Sequence, residues 1–314
     1  MAKDLEDAPV EAPPPAPVLL AEAASARAAT GVACSVGAYA LWGVFPIYFK
    51  AVAAVPALEV LAHRIVWSVV LVALLLSFQR GWRQVGRAFA RPRLLLTLAG
   101  SALVISLNWG VFIWAVADGR ILECSLGYYI NPLVSVLLGV AVLRERLRPM
   151  QWLAVAIAVV GVAIEVVSFG TLPWVALTLA VSFAFYGLIR KTAPVDPVSG
   201  LFIETLLLSP AAVIFLAALA AQGEGAFLTQ GLRIDALLLL AGPITALPLL
   251  LFVAGAQRIR LTTVGLLQYI APTGHFLLAV FVYHEPFTPV HLATFAFIWA
   301  ALAIYSLSIL RRQG

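Results

Sequence analysis

The sequence predicts an all-α membrane protein of ten transmembrane helices, built as two five-helix repeats of opposite orientation. Three observations carry that expectation. The chain of 314 residues is 63% hydrophobic and only 11% charged, with a mean hydropathy of +1.02. Its basic residues gather in alternate links between apolar runs. One segment of the first half recurs in the second at a constant spacing.

A soluble globular domain carries about 25% charged residues. Water could not solvate a surface as poor in charge as this one, so lipid must cover most of it. The useful unit is then the membrane span of about 20 residues. Ten apolar runs are legible, at 32–50, 58–78, 94–116, 121–143, 150–168, 172–190, 198–220, 234–256, 262–283 and 288–309. Most links between them are short and contain Pro, Gly or Arg.

The formal net charge is +5. In a soluble protein that would suggest nucleic acid, but here the cations mark orientation. With the N-terminus inside, the inner segments hold Lys3, Arg27, Arg80, Arg83, Arg87, Arg91, Arg93, Arg144, Arg146, Arg148, Arg190, Lys191, Arg258, Arg260, Arg311 and Arg312. The outer segments hold Lys50, Arg120 and Arg233, and Arg64 stands within a span. One miscounted helix would invert every later link, so the bias supports an even span number with both termini cytoplasmic. Residues 1–30, with the run Ala12-Pro13-Pro14-Pro15-Ala16-Pro17 and five acids, read as a disordered cytoplasmic tail. Cys34 and Cys124 lie in apolar stretches and suggest neither a disulfide framework nor a metal site.

The repeat is seen by comparing Leu126-Gly-Tyr-Tyr-Ile-Asn-Pro132 with Leu266-Leu-Gln-Tyr-Ile-Ala-Pro272. At an offset of 140 residues, Tyr129/Tyr269, Ile130/Ile270, Pro132/Pro272, Glu145/Glu285 and Pro149/Pro289 coincide without a gap. Five spans, an odd number, separate the copies, so they must enter the membrane from opposite sides. The repeats are expected at 31–170 and 171–310. Many transporters with inverted repeats place their site between the halves and rock one half against the other.

Several strings resemble a known family. They include Trp42-Gly-Val-Phe-Pro-Ile-Tyr-Phe-Lys50, Glu59-Val-Leu-Ala-His-Arg64, Asn108-Trp109, Ser125-Leu-Gly-Tyr-Tyr-Ile-Asn-Pro-Leu133 and Ser182-Phe-Ala-Phe-Tyr-Gly-Leu-Ile-Arg-Lys191. Together they are similar to the RarD proteins of the EamA group of the drug/metabolite transporter superfamily, over nearly everything after the tail. The resemblance implies two EamA repeats in a bacterial inner-membrane permease, with relatives that export amino acids and other metabolites. The family name is tied to chloramphenicol sensitivity. The expected activity is secondary export of small amphipathic metabolites, amino-acid-like compounds or drugs, by alternating access between the repeats. The alternative is a non-transporting scaffold or sensor with an indirect effect on chloramphenicol sensitivity. The expected partners are a small-molecule substrate and the lipid bilayer, with a homodimer left open and no nucleic acid.

No GxxxxGK[ST], HExxH or GxSxG string occurs, so neither ATP, a cofactor nor enzymatic chemistry is expected. Polar residues inside the bilayer are costly and are therefore the candidates. Arg64 and Glu204 are repeat counterparts, expected to face each other as a gate pair or to hold the two ends of a zwitterion. Glu59 and His63, at i and i+4, could relay protons or simply stabilise a helix start. Asn108, Trp109, Tyr129, Asn131, Gln268 and Tyr269 suit the wall of a pathway for an amphipathic solute, or else interhelical bonds. Pro132 and Pro272 are expected as symmetric hinges. His275 reads as a satisfied core histidine.

Overall fold

The computed structural model describes residues 16–118, 120–170, 172–283 and 288–310, and over these the chain is built from helices. They are α1 (Ala16–Gly43), α2 (Phe45–Ala51), α3 (Ala57–Phe78), α4 (Trp82–Phe89), α5 (Pro92–Ala117), α6 (Ile121–Ala141), α7 (Pro149–Phe169), α8 (Trp174–Thr192), α9 (Pro197–Gln222), α10 (Leu232–Ala256), α11 (Leu261–Leu267), α12 (Ile270–Leu277) and α13 (Pro289–Leu310). A π-helical turn, Leu278–Val282, follows α12. Among the described residues, nine segments are long and apolar enough to cross a membrane, and Leu126–Ala141 of α6 is a shorter tenth. Helices α1 and α2 together make span one. Helices α11 and α12 with the π-turn make span nine.

Two features depart from the sequence reading. Residues 16–30 are helical rather than disordered, because Leu, Ala, Glu and Arg after Pro17 are strong helix formers. The arginine-rich link between spans two and three also folds into α4, which buries Val85 and Ala88 and keeps Arg83 and Arg87 exposed.

Inverted repetition governs the whole fold. The starts Ala57/Pro197, Pro92/Leu232, Ile121/Leu261 and Pro149/Pro289 are each 140 residues apart. Eight spans close a ring, each packing on the next in the order α5, α8, α6, α11–α12, α1, α10, α3, α9 and back to α5. The remaining pair, α7 and α13, pack on each other and share a core with α6 through Tyr129, Leu266, Phe295 and Ile298. The pseudo-two-fold axis passes where counterparts meet. There the Tyr269 hydroxyl donates to the carbonyl oxygen of Tyr129, its own repeat partner, at 3.2 Å.

The two ends of the ring differ. At the end where α1 begins, called here the basic end, the halves are tied together. Glu145, between α6 and α7, accepts from the backbone N–H groups of Leu261 (2.7 Å) and Thr262 (2.9 Å), capping α11 of the other half. Arg260 donates to the Arg146 carbonyl at 2.9 Å. Within the second half, Lys191 donates to the carbonyls of Ala256 and Ile259. The counterpart of Glu145, Glu285, lies outside the described residues.

Candidate functional site

Toward the basic end, aromatic side chains fill the ring. Trp42 of α1 meets Phe183 of α8 at 5.5 Å, Phe183 meets Phe252 of α10 at 5.3 Å, and Tyr39 and Tyr186 pack around them. Below this plug lies a buried ion pair. Arg190 Nε stands 3.5 Å from Glu204 Oε1, with Arg190 fully buried and Glu204 1% exposed. Tyr186 donates to Glu204 Oε2 at 3.4 Å, and Arg190 Nη2 donates to the Pro197 carbonyl at 3.4 Å. The guanidinium lies directly against Gly200, where any side chain would occupy its place. Glycine here is a matter of room.

The expected facing of Arg64 and Glu204 is therefore not found, and the reason is the inversion itself. Each residue stands seven positions into its helix, from Ala57 in α3 and from Pro197 in α9. Those two starts lie at opposite ends of the ring. Glu204 has taken Arg190, of the same half, as its partner.

Arg64 occupies the other half of the ring. Its Nε donates to Thr245 Oγ1 of α10 at 2.8 Å. Its guanidinium lies 5.4 Å from the Trp109 ring and 5.7 Å from the Phe49 ring. The residue is partly exposed, and among the described residues no carboxylate lies within 4.0 Å of it. At a partly exposed place each aromatic face contributes about 0.5–1 kcal/mol. An arginine at mid-membrane costs about 2.5–3.5 kcal/mol, which the two faces together with the charge-assisted Thr245 bond, about 1.5–3 kcal/mol, can offset. Tyr128 of α6 lies at the same level, 37% exposed and edge-on to His275 at 5.6 Å. His275 in turn bonds the Trp42 carbonyl at 2.9 Å, a satisfied histidine.

The other candidates divide. Trp109 belongs to the Arg64 cage. Asn108 donates to the Leu179 carbonyl and to Ser182 Oγ, both at 2.9 Å, and ties α5 to α8. Asn131 is buried and accepts from Ser135 at 3.3 Å. Tyr129 and Tyr269 lie on the axis, and Gln268 is buried beside them. Pro272 follows the break between α11 and α12, where its missing N–H leaves the Gln268 carbonyl without its usual helical donor. Its counterpart Pro132 sits inside unbroken α6. Spans one and nine are interrupted, whereas their counterparts α8 and α6 are continuous.

Glu59 and His63 meet, but as a latch. Glu59 Oε1 accepts from the Ala226 backbone N–H at 2.6 Å, holding the link between α9 and α10. His63 Nε2 is 3.9 Å from the same oxygen, beyond hydrogen-bond distance. The Trp67 indole donates to His63 Nδ1 at 3.2 Å. An indole N–H is a donor only, so His63 Nδ1 is engaged here as an acceptor. Replacing Glu59 with Leu leaves the buried Ala226 N–H unmet. It is expected to cost about 1–3 kcal/mol and to speed hydrogen exchange in peptides covering 224–230. Unchanged exchange there would remove the latch.

Thr245, Phe49 and Arg190 were missed in the sequence. Arg190 passed as one more link cation, although its offset from Lys50, also a cation ending its span, is again 140.

An inverted-repeat ring of apolar helices defines a multi-pass membrane protein built from two related halves. Comparison with known proteins gives the family. Residues 29–167 and 172–307 each match the EamA-like transporter family, and the chain belongs to it. A protein described as an uncharacterized transporter from Vibrio cholerae is 50% identical over 281 residues, covering 90% of this chain and 93% of that one. Protein RarD of Escherichia coli K12 is 46% identical, covering 90% and 96%. A Pseudomonas aeruginosa protein named chloramphenicol-sensitive protein RarD is 37% identical, covering 90% and 97%. A solved crystal structure shares the fold at a TM-score of 0.69 and 21% identity, over 91% of this chain and 99% of that one.

Proposed function

We propose that this chain is a secondary transporter of the bacterial inner membrane, with both termini cytoplasmic, exporting small amphipathic metabolites, amino-acid-like compounds or drugs. The two repeats alternate access to a site in the ring, with Arg64, Trp109, Phe49 and Tyr128 along its wall. The observation that carries this reading is the inverted repeat whose interrupted spans, one and nine, have continuous counterparts, α8 and α6. Cross-half bonds from Glu145 and Arg260 and an aromatic plug hold the basic end, and Glu59 with the Ala226 N–H and Tyr48 with the Leu237 carbonyl hold the other. Between these ties stands Arg64, which touches no carboxylate among the described residues and lies among aromatic rings. Sequence-related halves in two different conformations are what alternating access requires. The charge bias of the links makes the basic end cytoplasmic.

The test is flux. Purified protein in proteoliposomes is given a labelled panel of amino acids, aromatic acids and chloramphenicol, with and without a pH gradient. At least one compound is expected to move faster than into protein-free vesicles, and a variant with Gly265→Trp, which wedges α11 against α6 at the Pro132 carbonyl, is expected to abolish that movement. No flux for any compound under either condition would overturn the reading.

A further inference from the structure

The two ends of the ring carry different charges at equivalent positions. Subtracting the repeat offset from Arg190 and Glu204 gives Lys50 and Arg64 (190 − 140 = 50; 204 − 140 = 64). At the basic end, the pair on α8 and α9 is a cation with a carboxylate, in contact and buried. At the other end, the pair on α2 and α3 is two cations. Neither touches an acid among the described residues. Lys50 Nζ lies 3.2 Å above the Tyr283 ring, and Arg64 lies against Phe49 and Trp109.

Inverted repeats change state by exchanging conformations. In the exchanged state α2 and α3 take up the relation that α8 and α9 have now. In α8 and α9 a carboxylate sits between the arginine and Tyr186. In α2 and α3 that carboxylate is replaced by a second cation, and like charges repel strongly where the dielectric is low. The seal lacks one anion.

We propose that Lys50 and Arg64 form a gate that closes only around an anionic substrate, a carboxylate carried on an aromatic or apolar body. This rests on the transport reading and names the substrate class for it. Thr245 holds Arg64 by Nε, which leaves both terminal nitrogens of the planar fork for a carboxylate. Phe49, Trp109 and Tyr128 supply the apolar surroundings. Among the described residues no carboxylate lies within 4.0 Å of Arg64 to receive an ammonium group; Glu59, on the same helix, holds Ala226 through Oε1 and leaves Oε2 unbonded, and Glu204 is paired with Arg190. A carboxylate without an α-ammonium therefore suits the site better than a zwitterion. An empty gate stays open, so inward-bound and outward-bound substrate are exchanged.

The experiment uses the full chain and four matched probes: phenylacetate, phenylalanine, phenylacetamide and phenethylamine. Thermal stabilisation in detergent reads binding, and proteoliposomes with or without internal phenylacetate read flux. Phenylacetate is expected to stabilise the protein at a concentration at least about tenfold lower than the amide or amine, the loss that one charge-assisted bond represents. Phenylalanine is expected to fall between. Arg64→Gln abolishes the preference, and Arg64→Lys, which keeps charge without the fork, weakens it. Labelled phenylacetate enters preloaded vesicles at least about tenfold faster than empty ones. Arg64→Glu restores the carboxylate and is expected to raise the ligand-free melting point and remove phenylacetate binding. Lys50→Glu, the same pair with its charges exchanged, serves should Arg64→Glu not accumulate. Equal binding of acid and amide, preference for the amine, an acid preference that survives Arg64→Gln, or no binding of any probe would each overturn the gate. Arg64-dependent acid binding with no flux of any kind would support the anion site and sink the transport reading alone.

Discussion

Glu204→Ala is expected to destabilise the protein by about 3–5 kcal/mol, the loss typical of removing one partner from a buried ion pair. The side chain left behind decides the size. Arg190 is fully buried, held against Gly200, with one long bond to the Pro197 carbonyl. Without Glu204 its charge has no counterpart, and Tyr186 loses its acceptor. The cost arises from desolvation rather than from the strength of the 3.5 Å contact itself. The double variant Arg190→Met with Glu204→Leu removes both charges and should regain most of the loss. Unfolding in detergent, followed by intrinsic fluorescence, measures all of these. A Glu204→Ala protein as stable as the parent would show that Arg190 is solvated in the resting state, and that the basic end is not sealed. A double variant no better than the single would show that the pair also sets the geometry of α8 against α9.

Hydropathy and charge bias made the fold legible because lipid imposes one rule on every residue of a span. Four basic links and a repeat in Tyr, Pro and Glu were enough to order the helices. The structure extends that 140-residue offset to helix starts such as Pro92/Leu232, where little identity survives. Depth was less legible. Symmetry placed Arg64 and Glu204 at equivalent positions, but equivalence under inversion means opposite ends. Helical period carries no information about which end a residue occupies until the links are oriented. Trp109 was legible as a candidate from its amphipathic ring, and it stands beside Arg64. Asn108 and Asn131 were not separable from it, because an amide that ties two helices has the same composition as one that lines a pathway. Breaks in spans one and nine depend on tertiary contact: Pro272 coincides with one and Pro132 does not. Local sequence alone cannot distinguish two prolines in matched strings.

Replacing Gly242 with leucine is expected to remove about 3 kcal/mol or more, the upper end of what overpacking costs, and to disable the site as well. A Cβ at Gly242 would lie 2.6 Å from the Trp67 backbone and 2.7 Å from its Cβ. Those are atoms of α3 itself, so the helix must move as a body. Small residues at such crossings let two spans approach without a hydrophobic drive in lipid. Gly242 stands one turn from Thr245, which holds Arg64 at 2.8 Å, and its own carbonyl accepts from Ser68 at 3.3 Å. Prying α10 from α3 therefore breaks the bond that orients the Arg64 fork. Gly242→Ala is the finer instrument: it should fold with a lower melting point and lose much of the preference for an acid over its amide. Gly100 in α5 supplies the control, since nothing lies within 4 Å of a Cβ added there. Gly100→Ala should leave that preference intact and gain up to about 1 kcal/mol from helix propensity. Should Gly242→Ala lower stability yet leave acid preference at the parent value, the grip of α10 on Arg64 would not be what aims the guanidinium. The aromatic faces of Phe49 and Trp109 would then have to hold it unaided.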